Sequence, residues 1–78
     1  MPTVIVSGPY RLFFYSGDGN EPAHIHAQRD EMVAKFWLNP VRLGAGGGFA
    51  QPELREIRRL IEQNEKTLLG RWNEFFAR

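Results

Sequence analysis

The stretch that decides the fold is Ala23–Leu38, AHIHAQRDEMVAKFWL. Over Ala23–Gln28, the apolar Ala23, Ile25 and Ala27 alternate with the polar His24, His26 and Gln28. That period of two is the signature of a half-buried strand. Met32–Leu38 is a second strand-like run, and Asn39-Pro40 ends it, because proline cannot donate to a ladder and restricts the residue before it. With Asp30-Glu31 as a two-residue loop, the runs form an antiparallel hairpin. His26 then faces Lys35, His24 faces Trp37 and Ile25 faces Phe36. A slip of one residue sets His24 and His26 opposite Phe36 and Ala34 instead. The loop lacks the Asn-Gly or Gly signature of tight hairpins, so both registers stay open.

Two more strand signals precede the hairpin. Thr3–Ser7, TVIVS, is β-branched and is stopped by Gly8-Pro9. Tyr10–Ser16, YRLFFYS, is largely apolar on both faces, which predicts a central or doubly covered strand. Residues 17–22, GDGNEP, are a loop by composition. VRL at 41–43 reads as ambiguous, with a short edge strand as one outcome. Residues 44–50 read as a glycine-rich, flexible connection.

After it the period changes. Pro52 suits the first helical position and Glu53 the positive end of the helix dipole. Apolar residues fall at 54, 57, 60, 61, 68, 69, 72, 75 and 76, a helical spacing in which Asn64 takes a core-facing slot. One helix to about Phe76, a break at Asn64 and a bend at Gly70 all fit. The expected fold is α+β: a small antiparallel sheet of three to four strands, with a C-terminal helix or helix pair packed on one face. It forms a single domain over 1–78, with a β-rich half (1–43), a connection (44–50) and a helical half (51–78). The expected core is Ile25, Phe36, Leu38, Leu54, Ile57, Ile61, Leu68 and Trp72, with the histidines on the other sheet face.

Composition bounds the function. The chain has 78 residues and no cysteine, which excludes disulfides and thiolate metal sites. The N-terminus lacks the pattern of a signal peptide, and no run approaches the roughly 20 apolar residues of a membrane span. A soluble, cytoplasmic protein without membrane association is expected. The net charge is +1, and acids and bases are evenly spread. The linear pattern therefore shows no basic stripe of a dedicated nucleic-acid binder.

His24 and His26 are the only histidines. On one strand face their Cα atoms lie about 6.5–7 Å apart, close enough to share a divalent metal. Such a site needs a third ligand, from Asp18, Glu21, Asp30 or Glu31, and the spacing fixes none of them. No other cofactor is indicated. The second reading is acid–base work on a phosphodiester, with His24 and His26 as base and acid and Lys35 stabilising charge. Trp37 on that face would stack a base. The third reading is the solvated face of a hairpin, which the apolar Trp37 and Val33 on that face fit poorly. On the helix, Arg55, Arg58 and Arg59 cluster where a phosphate or acidic partner could dock. Trp72, Phe75 and Phe76 form an aromatic end that serves as core or as a partner site.

MPTV, YRLFFYS, GNEPAHIHAQ, AKFWLNPVRL, ELREIRRLIEQN and LLGRWNEFF run in an order that resembles a family of small bacterial proteins known as a domain of unknown function. The Pro-x-His-x-His block followed by Ala-Lys-Phe-Trp-Leu is the most specific part. The resemblance implies a gene neighbour encoding another small protein, an arrangement similar to toxin–antitoxin modules, and it implies His24 and His26 as the recurring pair. Two functions follow as expectations. One is a toxin–antitoxin-like component that binds or acts on RNA through His24, His26 and Lys35. The other is a non-catalytic antitoxin or adaptor that engages a neighbour-encoded partner, or a second copy, through its aromatic helix or sheet edge. The GAGGG run departs from the family pattern.

Overall fold

The computed structural model describes residues 3–77. Met1, Pro2 and Arg78, the last assigned above to the helical half, lie outside the described residues. The strands are β1 (Thr3–Ser7), β2 (Tyr10–Phe13), β3 (His24–Arg29), β4 (Met32–Trp37) and β5 (Arg42–Ala45). They pair antiparallel in chain order, so every neighbour in sequence is a neighbour in the sheet. Two helices follow, α1 (Gln51–Gln63) and α2 (Glu65–Phe76). The fold is α+β as expected, with five strands where three to four were expected. The fifth comes from the ambiguous 41–43 segment and runs two residues into the glycine-rich stretch.

The hairpin adopts the first of the two registers: His24 pairs with Trp37, Ile25 with Phe36 and His26 with Lys35. Its loop works without glycine because Asp30 takes a φ of +56°, a left-handed conformation that aspartate tolerates better than most residues. One sheet face carries Leu12, Ile25, Ala27, Ala34 and Phe36 onto Leu54, Ile57, Ile61 and Leu68 of the helices. Each fully buried Leu, Ile or Phe contributes about 1.5–3 kcal/mol relative to exposure. All eight residues expected in the core are buried. β2 is covered on both sides, with Leu12 and Phe13 both inaccessible.

The helical segment breaks at Asn64. Its φ of −116° and ψ of 15° leave the helical region, and its Nδ2 donates to the Leu60 carbonyl at 2.8 Å. Its own carbonyl accepts from Leu68 N–H at 2.9 Å, so one residue ends α1 and starts α2. Gly70 lies inside α2 without interrupting it. A polar knot ties α1 to the hairpin end. Arg29 forms a two-bond fork with the Glu53 carboxylate, with Nη2 to Oε1 at 2.8 Å. The Tyr10 hydroxyl donates to Glu53 at 2.8 Å and lies 3.1 Å from a Glu56 oxygen.

The glycine run is fitted tightly at one point. Gly47 has a φ of +63°, and a Cβ there would sit 1.9 Å from the Val33 carbonyl oxygen. Gly46 has open room by comparison, its nearest neighbour being Leu54 Cδ1 at 3.7 Å. Gly47→Ala is expected to cost more than about 1 kcal/mol in urea unfolding, whereas Gly46→Ala changes stability by less than about half of that.

Glu53 gives a pH prediction. Its bond to Arg29, helped by Tyr10, holds its carboxyl below the ordinary value. A depressed folded pKa adds stability above the unfolded pKa, and that stability is lost as pH falls through the folded value. Glu53→Gln should lower the melting temperature at pH 7, and the gap to wild type should close as pH drops below about 4. Thermal melts across that range check this; a constant gap contradicts it.

Candidate metal centre

The histidines meet a third group at the end of the sheet where β3 begins. Past β2 the chain turns sharply: Asp18 N–H donates to the Tyr15 carbonyl at 3.0 Å. Tyr15 N–H in return donates to Asp18 Oδ2 at 3.0 Å. A single 3-10 turn, Asp18–Asn20, follows, and Glu21 N–H closes it on the Asp18 carbonyl at 3.1 Å. The loop is held from outside by α2. A Cβ on Gly19 would lie 2.6 Å from Phe76 Cδ1, so only glycine lets that ring lie against the turn.

Three contacts then converge on one oxygen. His24 Nε2 lies 2.9 Å and His26 Nε2 3.4 Å from Asp18 Oδ2, which also takes the Tyr15 N–H. One donor atom from each of Asp18, His24 and His26 falls within 4.8 Å of the others. The other ring nitrogen of His24, Nδ1, lies 2.9 Å from the Pro22 carbonyl oxygen. Both nitrogens of His24 therefore face oxygens that only accept, while a neutral imidazole carries one N–H. With Nδ1–H donating to Pro22, Nε2 directs its lone pair at a carboxylate, and a proton or a cation must complete that pair.

The cluster is enclosed. The side chains of His24, His26 and Asp18 are 1%, 13% and 20% exposed. The His24 ring is flanked by Trp37, Trp72 and His26, with centroids 5.6, 5.0 and 5.2 Å away. Phe13 stacks on His26 at 5.3 Å, and Tyr15 meets it edge-on at 4.9 Å. Burial pushes the Asp18 carboxyl up, but the Tyr15 N–H and the two imidazoles outweigh it and hold it below the ordinary value. Burial pushes His26 below its ordinary value despite Asp18, and the charges of His24 and Lys35 act the same way. Around pH 7 the site thus holds an ionised carboxylate beside a neutral imidazole, the forms in which both ligate metals.

His24, His26 and Trp37 come together as the sequence suggested. His24, however, is not on an open face: Trp72 reaches round the sheet end and seals it. Lys35 stands across from His26, but its ammonium is engaged by Glu21 at 2.8 Å and sits 4.3 Å over the Trp37 ring. Arg55, Arg58 and Arg59 are exposed on α1, with Arg58 bonded to Glu62 and to the Val41 carbonyl. Phe75 is 48% exposed beside Phe14 and Phe76. Asp18 was one of four acidic residues in reach by sequence. The structure selects it through a turn whose only sequence signal is GDGN. Phe13 and Tyr15 read from sequence as residues of one strand, Tyr10–Ser16, but β2 ends at Phe13 and Tyr15 lies in the turn beyond it.

A family model, Domain of unknown function (DUF4160), matches residues 10–73. The chain belongs to the DUF4160 family. No curated protein and no solved structure matches it. The match spans every residue of the DUF4160 chain named in the cluster and its aromatic enclosure, and leaves out β1 and the last turn of α2.

Asp18→Asn keeps the shape of the side chain and removes the charge that three groups share. In chelator-treated protein it should cost about 1.5–3 kcal/mol, the range for bonds to a charged group. Urea unfolding reads this; unchanged stability contradicts the convergence on Asp18.

Proposed function

We propose that this DUF4160 domain binds one divalent transition-metal ion through Asp18 Oδ2, His24 Nε2 and His26 Nε2. The observation that carries the reading is His24: a ring almost wholly buried, with Nδ1 on a backbone carbonyl and Nε2 aimed at a carboxylate. A backbone carbonyl on the far nitrogen is how proteins fix the tautomer of a metal-ligating histidine. The spacing supports it. Donors held about 2.0–2.1 Å from an ion lie about 3.0–3.4 Å from one another, close to the two distances at Asp18 Oδ2, and a small rotation of His26 draws in the third donor. Two imidazoles and one carboxylate suit zinc, iron(II) or a neighbour in that row, and three protein ligands leave positions for water or substrate.

The finer reading is that the ion serves hydrolysis of an RNA phosphodiester within a toxin–antitoxin-like pair. It is favoured over metal-free acid–base chemistry because His24 is too buried to touch a substrate and Lys35 is already paired. The bound metal would supply the Lewis acid that Lys35 does not. Tyr15, 44% exposed beside His26, offers a ring for base stacking.

Calorimetric titration of chelator-treated protein with Zn²⁺, and visible absorption on titration with Co²⁺, test the site. One ion per chain is expected, with a Kd of about 1 μM or tighter. His26→Gln and Asp18→Asn, shown folded by circular dichroism, should each weaken binding at least tenfold. No binding below about 1 mM, or binding untouched by both variants, overturns the metal reading. Metal-dependent cleavage of an RNA oligonucleotide, lost in His26→Gln, supports the finer one; intact RNA with metal bound removes RNA as substrate.

A further inference from the structure

The second region of interest lies at the β5 edge of the sheet. β5 pairs with β4 on one side only, all four of its residues are exposed, and Leu43 is 45% exposed. An edge strand presents unpaired backbone N–H and C=O groups, which proteins commonly cover or guard. Here α1 runs alongside and leaves a cleft of about 90 Å³ lined by Phe36, Leu43, Gln51, Leu54, Arg55 and Arg58. That is far below the roughly 300–1,000 Å³ of a small-molecule pocket and is on the scale of one inserted side chain.

The two charged residues that line the cleft are both arginines. Arg55 and Arg58 stand on the helix wall, while Arg42 of β5 pairs with Trp37 and so takes the sheet face opposite Leu43 and the cleft. Arg58 is anchored, its Nη2 donating to the Val41 carbonyl at 3.2 Å. Among the described residues, Arg42 and Arg55 have no ion-pair partner. The carboxylates of α1's first turns point elsewhere: Glu53 and Glu56 turn to Tyr10 and Arg29. On the cleft side, α1 presents Arg55 and Arg58, the latter also paired with Glu62 at 3.3 Å, while Arg59 lies with Glu56 toward Tyr10.

We infer that the β5 edge and this cleft form a docking groove for an extended, acidic segment of a partner protein, which adds as a sixth strand. Backbone pairing along Arg42–Ala45 would supply affinity. Alternate side chains would supply selectivity, one apolar group in the cleft and carboxylates against Arg42 and Arg55. The charge complementarity decides the class of occupant. A second copy of this chain would bring the same arginines face to face in a two-fold arrangement.

The test uses the full chain and two fluorescent eight-residue peptides, one alternating Glu with Val and one alternating Lys with Val. Anisotropy should show salt-sensitive binding of the Glu–Val peptide at least tenfold tighter than of the Lys–Val peptide. Amide shifts in two-dimensional NMR should map to Arg42–Ala45 and to α1 around Arg55. Arg55→Glu should weaken binding at least tenfold with the spectrum otherwise folded, and Leu43→Glu should do so independently. Equal binding of both peptides, no binding at about 1 mM, or shifts confined elsewhere overturns the proposal. So do shifts of the same amides by an RNA oligonucleotide that displaces the peptide, which would assign the groove to nucleic acid. A dimer in light scattering that blocks the peptide would assign it to a second copy. None of these readouts uses the Asp18 centre.

Discussion

The arrangement turns on one imidazole held between two acceptors. His24 is the only buried polar residue in the described core, and both its nitrogens end on oxygen. A buried polar ring is stable only when its hydrogen-bonding capacity is met, so everything that fixes those two oxygens is under constraint. Pro22 must present its carbonyl just before β3 starts, which the extended backbone at Glu21 allows. Asp18 must come back from six residues upstream, which the Tyr15–Asp18 turn achieves. Gly19 must lack a side chain, since Phe76 lies against it. The helix break has a place in the same scheme. An unbroken helix over residues 51–76 would be about 39 Å long and would leave the sheet behind. Interrupted at Asn64, the second helix lays Trp72 against His24 and Phe14, and Phe76 against the loop.

The sheet was legible because its signals are local and agree with one another. Alternation over 23–28, the stop at Asn39-Pro40 and a two-residue gap specify the hairpin, and the buried Ile25–Phe36 pair rewards the correct register. A slip would carry His24 and His26 to the apolar side, and with them the partners each strand face selects. The helical core was legible from its period, and Asn64 stood out as the one polar residue in an apolar slot. What the sequence did not show is how the sheet end is closed. The contact of Trp72 with His24 joins residues 48 positions apart, and alternation alone assigned His24 to an open face. Periodicity states which side of a strand a residue takes, but not whether a distant helix curls round to cover that side.

The same limit explains Asp18. Four acidic residues lay near the histidines in sequence, and choosing among them requires the path of the loop. That path depends on backbone hydrogen bonds between Tyr15 and Asp18 and on the steric allowance at Gly19, neither of which has a side-chain periodicity. Glu21, the nearer acid by sequence, instead takes Lys35 and stands 3.7 Å from His24 Nδ1. The two carboxylates have divided the nitrogen partners between them. Asp18 sits with the imidazoles in the enclosed region, and Glu21 sits outside with the ammonium.

Trp37 connects the centre to the sheet edge. On one side its indole meets the His24 ring edge-on. On the other it pairs across the ladder with Arg42 of β5, and a Cβ on Gly44 would lie 3.2 Å from its Nε1. The bulge between β4 and β5 falls at this point, so the β5 backbone lies close to the indole where a side chain would crowd it. A strand added at Arg42–Ala45 would stiffen the backbone against which Trp37 rests, and Trp37 lies edge-on to the His24 ring at 5.6 Å. A ligand shifts a conformational equilibrium only by its differential affinity for the two states, and coupling between sites is reciprocal. An occupant of the edge that held Trp37 where the metal site also needs it would tighten metal binding by the same factor that the metal tightens the occupant. The route is short, running through one side chain with contacts to both regions.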